Sequence, residues 1–345
     1  MNAPSTELPG LDLDRVRAYL DAHRPGLVTG PLRGEVVHGG RSNLTYVLTD
    51  GTSRWVLRRP PLGHVLATAH DMGREHRVMS ALAGTAVPVP RTHVLCQDDA
   101  VIGAPFYLME HVEGTVYRTP ELTGRLDADQ RHDLTRQLVD VLAELHAIDP
   151  EQVGLGDFGR PEGFLDRQVR RWSKQLAASR SRDIPGIDEL AARLAAGVPR
   201  TGRTAIVHGD YRLDNVLVGP ELRIDAVLDW EMATLGDPLT DLGLLAVYWE
   251  GFSGLDENPI AKGIGPEFGF PPFRDMLGRY AERSGAELSE LDWYIGFGFF
   301  KIAVILEGIH YRYIHGQTVG AGFDHIGALV APLVAQGLAT LDEEV

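Results

Sequence analysis

Lysine is almost missing from this chain. Among 345 residues and 33 basic side chains, only Lys174, Lys262 and Lys301 are lysines, and none lies in the first 173 positions. No chemistry in the N-terminal part can therefore use a lysine. Cysteine is scarcer still: a lone Cys96 excludes an intrachain disulfide framework and a cysteine-rich zinc site. Positive charge is in deficit overall, at −15 net, which argues against a chain built to neutralise a nucleic-acid backbone. The longest apolar run, from Trp293 to Leu306, carries Lys301 inside it and is too short to span a bilayer. Residues 1–20 show no basic segment followed by an apolar stretch, so no signal peptide is expected. The expectation is a cytoplasmic protein with no membrane and no nucleic-acid partner; oligomeric state is not readable. Its hydrophobic fraction, 44%, is that of a globular chain, and its length allows one large domain in two lobes or two domains.

What is present divides into two parts. After a polar lead-in, Leu13, Val16 and Leu20 mark a short amphipathic helix. Three strands follow around 35–37, 44–48 and 55–58. A glycine-rich turn at Gly39-Gly40 joins the first two, and a tight turn at Asp50-Gly51 joins the second and third. A helix over 71–83 and strands near 92–96 and 106–110 complete this part. Beyond Gly114 the pattern is mainly helical: 130–147, 164–180, 186–197, and again from 239 onward, interrupted by a Gly/Pro-rich loop at 251–272. Short strands are expected at 206–207, 216–218 and 224–228. The spacing predicts an α+β chain, with a small β-rich N-terminal lobe joined near Glu110–Gly114 to a larger helical lobe.

The strongest chemical signal is Val207-His208-Gly209-Asp210-Tyr211-Arg212-Leu213-Asp214-Asn215, followed by Val227-Leu228-Asp229-Trp230-Glu231. Asn215 ends a loop and Asp229 ends the partnered strand of a hairpin, so both can converge on one metal ion. An amide oxygen and a carboxylate are hard ligands of the kind magnesium takes. Asp210, five residues before Asn215, stands where an acceptor hydroxyl would present its proton. This is the logic of phosphoryl transfer.

These phrases, with Gly39–Tyr46, Val56–Pro61 and Gly236–Gly243, resemble the aminoglycoside phosphotransferase and choline kinase-like family, which shares the protein-kinase fold. The branch most similar is that of bacterial phosphotransferases related to the kinase-like domains fused to some acyl-CoA dehydrogenases. The likeness covers roughly residues 30–315. It implies a bilobal kinase-like α+β fold: an N-terminal nucleotide-binding lobe over 1–112, with a small antiparallel sheet and one main helix, and a catalytic and substrate-binding lobe over 113–345. It also implies an enzyme that moves the γ-phosphoryl group of ATP or GTP, with Mg²⁺, to the hydroxyl of a small molecule. An aminoglycoside-like compound, a hydroxy acid and a hydroxyacyl-CoA remain open as acceptors.

Carried over position by position, Asp210 matches the catalytic aspartate, and Asn215 and Asp229 match the magnesium ligands. Arg212 stands where protein kinases place a lysine beside the transferred group, where a cation would stabilise transition-state charge. Gly39, Gly40, Ser42 and Asn43 match the loop that covers the nucleotide. The strand lysine that grips phosphate is absent. Arg58 occupies its position, Arg59 is the fallback, and Glu75 is the expected helix partner. Glu110, through its carbonyl, and Val112, through its N–H, match the segment that reads adenine. Asp241 matches a carboxylate that buttresses the catalytic loop. If arginine in place of lysine is incapacitating, the chain would instead be a nucleotide-binding pseudokinase acting as a sensor or interaction module. Five arginines, Arg167, Arg170, Arg171, Arg180 and Arg182, form a candidate basic patch for an acyl-CoA.

Overall fold

The structure, a computed structural model, describes residues 8–37, 43–62, 70–255, 260–317 and 323–343. They fall into two compact units: 1–114 together with 225–231, and 115–224 together with 232–345. The return of 225–231 to the first unit is what places Asp229 there.

The first unit opens with α1 (Leu13–His23), whose N-terminus is capped by the Asp12 carboxylate accepting from the Arg15 N–H at 3.0 Å. The strands β1 (Arg33–Val36), β2 (Leu44–Thr49) and β3 (Arg54–Arg59) follow, then α2 (Met72–Leu82), β4 (Thr92–Cys96) and β5 (Phe106–Glu110). All strand pairs are antiparallel, in the order β1-β2-β3-β5-β4. The turn between β2 and β3 is held by one carboxylate. Asp50 accepts from the Thr29, Thr52 and Ser53 backbone N–H groups, which keep it well below the usual carboxylate range. Gly51 supplies the positive φ that the turn requires, at 95°.

Strand alternation then sorts the side chains. Trp55 and Leu57 point into a core with Tyr46, Leu48, Phe106, Leu108, Val16 and Leu20. Arg59 shares their face and is itself buried, with its guanidinium donating to the Pro60, Gly10 and Ile102 carbonyls. Arg58 is turned to the opposite face, directly across from Tyr107 on β5. On α2, Met72, Glu75, Val78, Met79 and Leu82 form the buried stripe, so helical spacing inserts a carboxylate among apolar neighbours.

The second unit contains α3 (Pro120–Thr123), α4 (Ala128–Ala147), α5 (Phe164–Ser179), α6 (Ile187–Ala196), β6 (Ala205–Val207) and β7 (Val216–Val218). Strand β8 (Ile224–Val227) lies mostly in the first unit. The second unit resumes with β9 (Thr234–Gly236), α7 (Leu239–Trp249), α8 (Phe273–Ser284), α9 (Leu291–Ile314) and α10 (Val330–Asp342). Helix α4 starts in a capping box: the Asp127 carboxylate accepts from the Gln130 N–H at 2.8 Å, and the Asp127 N–H donates to the Gln130 side chain at 2.9 Å. Strands β6 and β9 pair antiparallel. Neither β9 nor α3 was expected; segments of three or four residues are too short to show a period.

Helices α7 and α9 approach each other closely. A Cβ on Gly243 would lie 2.4 Å from the Tyr294 carbonyl oxygen, and one on Gly298 would lie 3.0 Å from that of Gly243. Only hydrogen fits at Gly243, and a methyl at Gly298 would be tight. Among the described residues, α9 is the one helix long and apolar enough to cross a membrane by length and composition, and most of it is buried. It extends past the apolar run to Ile314, so the run is only the middle of a longer core helix.

Candidate active site

In the first unit, six polar side chains meet in one network. The Arg58 guanidinium meets Glu75 Oε2 at 3.3 Å and donates from Nη2 to Asp229 Oδ1 at 3.1 Å. Glu75, only 1% exposed, also accepts from the Tyr107 hydroxyl at 2.8 Å and from Asn43 Nδ2 at 3.0 Å. That amide reaches Glu231 Oε2 at 3.4 Å as well. Burial works against the Arg58 charge, yet Tyr107, Glu75 and Asp229 outweigh it and hold the guanidinium protonated. Burial pushes the Glu75 carboxyl upward, and the Arg58 charge is the chief opposing influence.

The backbone of Asp229 has φ 65°, a conformation that residues with a side chain rarely adopt. It costs on the order of 1–3 kcal/mol and persists where the surroundings over-determine it. Here the Trp230 indole donates to the Val227 carbonyl at 3.0 Å, and the Val227 N–H donates to the Pro88 carbonyl at 2.8 Å. Glu110 closes β5, and its N–H donates to the Arg91 carbonyl at 2.8 Å. The Val112 N–H makes no hydrogen bond among the described residues. Gly39, Gly40 and Ser42 lie outside the described residues.

In the second unit, β6 delivers His208, Gly209 and Asp210. Asp241, fully buried at the start of α7, accepts from the His208 N–H at 2.6 Å and the Gly209 N–H at 2.7 Å. Its third neighbour is His146 Nε2 at 3.3 Å, and His146 in turn contacts the Tyr280 hydroxyl at 2.7 Å. Burial alone would raise the Asp241 carboxyl; these contacts outweigh it and hold it low. Gly209 has φ 82°, and a Cβ there would lie 2.8 Å from Met232. The loop is thus pinned on the residue before Asp210.

Both oxygens of the Asp210 carboxylate are held. Oδ1 accepts from the Tyr248 hydroxyl at 2.8 Å, and Oδ2 accepts from Asn215 Nδ2 at 3.0 Å. Asn215 Nδ2 also donates to the Asp210 carbonyl at 2.8 Å. Arg212 lies over the Tyr248 ring, 4.5 Å from its centroid, with Asp214 at 3.5 Å and the Ile260 carbonyl at 3.2 Å. Lys301 on α9 donates to the Gly209 carbonyl at 2.6 Å.

No cluster of three or more His, Cys, Asp or Glu side chains able to hold a metal occurs among the described residues. A site made of one or two protein oxygens and completed by phosphate oxygens and water needs no such cluster. Two atoms suit it. Asn215 turns its donors back on Asp210, and its Oδ1 accepts no hydrogen bond among the described residues. Asp229 has Oδ1 on Arg58, and its Oδ2 is without a donor there. Each, within its own unit, is a hard oxygen of the kind magnesium takes.

Tyr107, Tyr248 and Lys301 were not expected in these networks. Lys301 left a trace, as the one charge inside the longest apolar run. Tyr107 and Tyr248 sit within apolar strand and helix patterns and left none. Other polar side chains prove to be structural. Glu307, fully buried on α9, accepts from the Ser181 N–H and hydroxyl and from Arg182. Arg180 pairs with Asp188 at 2.9 Å. The expected basic patch is thereby depleted of Arg180 and Arg182.

Comparison with known proteins follows the same lines. Residues 33–292 match the model of the phosphotransferase enzyme family. The mouse protein acyl-CoA dehydrogenase family member 10 is 35% identical over 334 residues, covering 94% of this chain but 31% of its own length. The chain therefore spans about a third of that relative. A crystal structure of an aminoglycoside phosphotransferase candidate from Ralstonia eutropha superposes with a TM-score of 0.82 at 35% identity, over 96% of this chain and 98% of the other. The GDP complex of aminoglycoside 2′-phosphotransferase-IIIa shares the fold, with a TM-score of 0.63 at 15% identity over 94% and 99% of the two chains. The α+β fold is thus that of the kinase-like phosphotransferases, and the chain belongs to the phosphotransferase enzyme family.

Proposed function

We propose that this chain transfers the γ-phosphoryl group of ATP or GTP to a hydroxyl of a small molecule. The observation that carries the reading is Asp210. Its carboxylate is fixed through both oxygens, on a loop whose preceding N–H groups are clamped by Asp241. Such a carboxylate orients an acceptor hydroxyl and takes its proton as the oxygen–phosphorus bond forms. Asn215 Oδ1 and Asp229 Oδ2 would hold magnesium. Arg58, Gly39, Gly40, Ser42 and Asn43 would hold the phosphates, with Glu75 fixing Arg58. The Glu110 carbonyl and Val112 N–H would meet the base. Bound there, the magnesium nucleotide supplies the phosphoryl group and offsets its charge.

The protein's contribution is positioning and electrostatics. Arg58 is oriented by two carboxylates before any ligand arrives, so little ordering remains for phosphate binding. Arg212, stacked on Tyr248, places a cation beside Asp210. The acceptor classes are those set out from the sequence: aminoglycoside-like, hydroxy acid or hydroxyacyl-CoA. Purified protein with Mg-ATP and a panel of hydroxyl compounds of these classes, run beside Asp210→Asn, tests the assignment. Transfer by the wild type and its loss by about 100-fold or more in the variant is the expected result. Equal rates would refute the role of Asp210. Tight Mg-ATP binding with no transfer to any acceptor would instead favour the pseudokinase.

A further inference from the structure

Lys301 is the sole charged residue between Asp292 and Glu307 on α9, and one of three lysines in the chain. Its ammonium lies 5.7 Å from the centre of the Trp172 ring on α5 and donates 2.6 Å to the Gly209 carbonyl. That carbonyl belongs to the peptide that leads into Asp210. The position demands glycine, because φ at Gly209 is positive and a Cβ there would meet Met232 at 2.8 Å, so the carbonyl's direction is left to its hydrogen-bond partner. The peptide's own N–H, that of Asp210, meets His208 Nδ1 at 3.2 Å, and the Gly209 N–H on the preceding peptide is held by Asp241. Lys301 fixes the other side.

We propose that Lys301 is a positioning residue for phosphoryl transfer, acting through the Gly209–Asp210 peptide. With Asp241 it grips the loop from both ends, so that the Asp210 carboxylate meets its acceptor at a set depth and angle. Burial disfavours the Lys301 charge and Arg171 adds to that, while Asp210 and Asp241 counter it. The balance holds the ammonium below its ordinary value, and the Gly209 carbonyl is its hydrogen-bond acceptor beside the loop. A neutral apolar residue of the same length would fill the space in α9 but leave the Gly209 carbonyl without this donor, and the Asp210 backbone free to shift. A misplacement of about 1 Å can cost 100-fold in rate.

The inference rests on the reading of Asp210 given above, and the experiment separates the two. The probe is Mg-ATP with water as acceptor, measured as phosphate release. Wild type, Asp210→Asn, Lys301→Met, Lys301→Arg and the Asp210→Asn/Lys301→Met double variant are compared. Expected for Lys301→Met is a kcat at least 10-fold lower with the KM for Mg-ATP within twofold. Lys301→Arg, which keeps a charged donor, recovers part of the loss. The double variant is no slower than Asp210→Asn alone, because a residue that acts through Asp210 has nothing left to position. If Lys301→Met does not fold, Lys301→Leu, which likewise lacks a donor, carries the same comparison. A kcat within twofold of wild type in folded Lys301→Met, or in its donor-free substitute, with Asp210→Asn impaired, overturns the inference alone. Losses that multiply in the double variant do the same. Full activity of Asp210→Asn removes the reading of Asp210 and the inference with it.

Discussion

The side chains that matter most are buried charges with assigned partners. Arg58 stands between Glu75 and Asp229, and Glu75 is almost wholly out of water. Removing one member of such a pair strands the other. Arg58→Met is therefore expected to cost about 3–5 kcal/mol in urea unfolding, and a cost under about 1 kcal/mol would show that Glu75 is not held by Arg58. Arg58→Lys keeps the charge but loses the planar fork, and its cost should be smaller. Asp241 makes a pH-dependent prediction. Its folded-state pKa lies below the ordinary 3.8, so its contribution is fully present above 3.8 and is lost as pH falls below that value toward the folded one. Asp241→Asn should be less stable at neutral pH, and its stability should fall less than that of wild type between pH 5 and 2. Parallel curves would contradict the assignment. The sequence motif named Asp210, Asn215 and Asp229 as candidates and paired Arg58 with Glu75, which the structure brings to 3.3 Å. It was not enough for Tyr107 or Tyr248, whose hydroxyls matter only once folding sets them 2.8 Å from a carboxylate.

At the scale of elements, two close contacts decide where the loop of residues 208–210 sits. Helix α7 carries Asp241 and Tyr248, and α9 carries Lys301 one turn beyond Gly298. The contact of Gly243 with the Tyr294 carbonyl lets these helices bring all three side chains to residues 208–210. Gly243→Ala inserts a methyl where only 2.4 Å separates a Cβ from a backbone oxygen. The helices must part, at an expected cost of about 1–3 kcal/mol by thermal or urea unfolding, with phosphate release falling as well. Unchanged stability would mean the helices are not held together at that point. Most elements followed from periodicity and turn residues: strand alternation placed Arg58 and Arg59 on opposite faces, and the helix over 71–83 placed Glu75. Strand β9 and helix α3 did not, because three or four residues carry no period and their pairing is decided by distant chain. Strand β8 ends one residue before the expected Leu228, just ahead of Asp229 with its positive φ. No local sequence preference announces that conformation in an aspartate.

For the whole molecule, the scarcity of lysine proves to have structure behind it. The first unit has no lysine, and arginine fills the position that faces Glu75. The second has three, and one of them is set beside the loop that carries Asp210. Ligand linkage provides a test that needs no acceptor. Mg-ATP at 100 times its Kd should stabilise the wild type by about 2.7 kcal/mol in thermal unfolding, and Arg58→Met should lose most of that gain. Equal gains would remove Arg58 from phosphate binding. The central claim concerns chemistry, and the most direct measurement is a mass-spectrometric screen of a metabolite extract incubated with Mg-ATP and the protein. A hydroxyl metabolite that gains one phosphate with wild type, and not with Asp210→Asn, is the predicted result. The account is contradicted if the same phosphorylated product forms equally with both proteins, or if no metabolite gains phosphate while Mg-ATP is tightly bound.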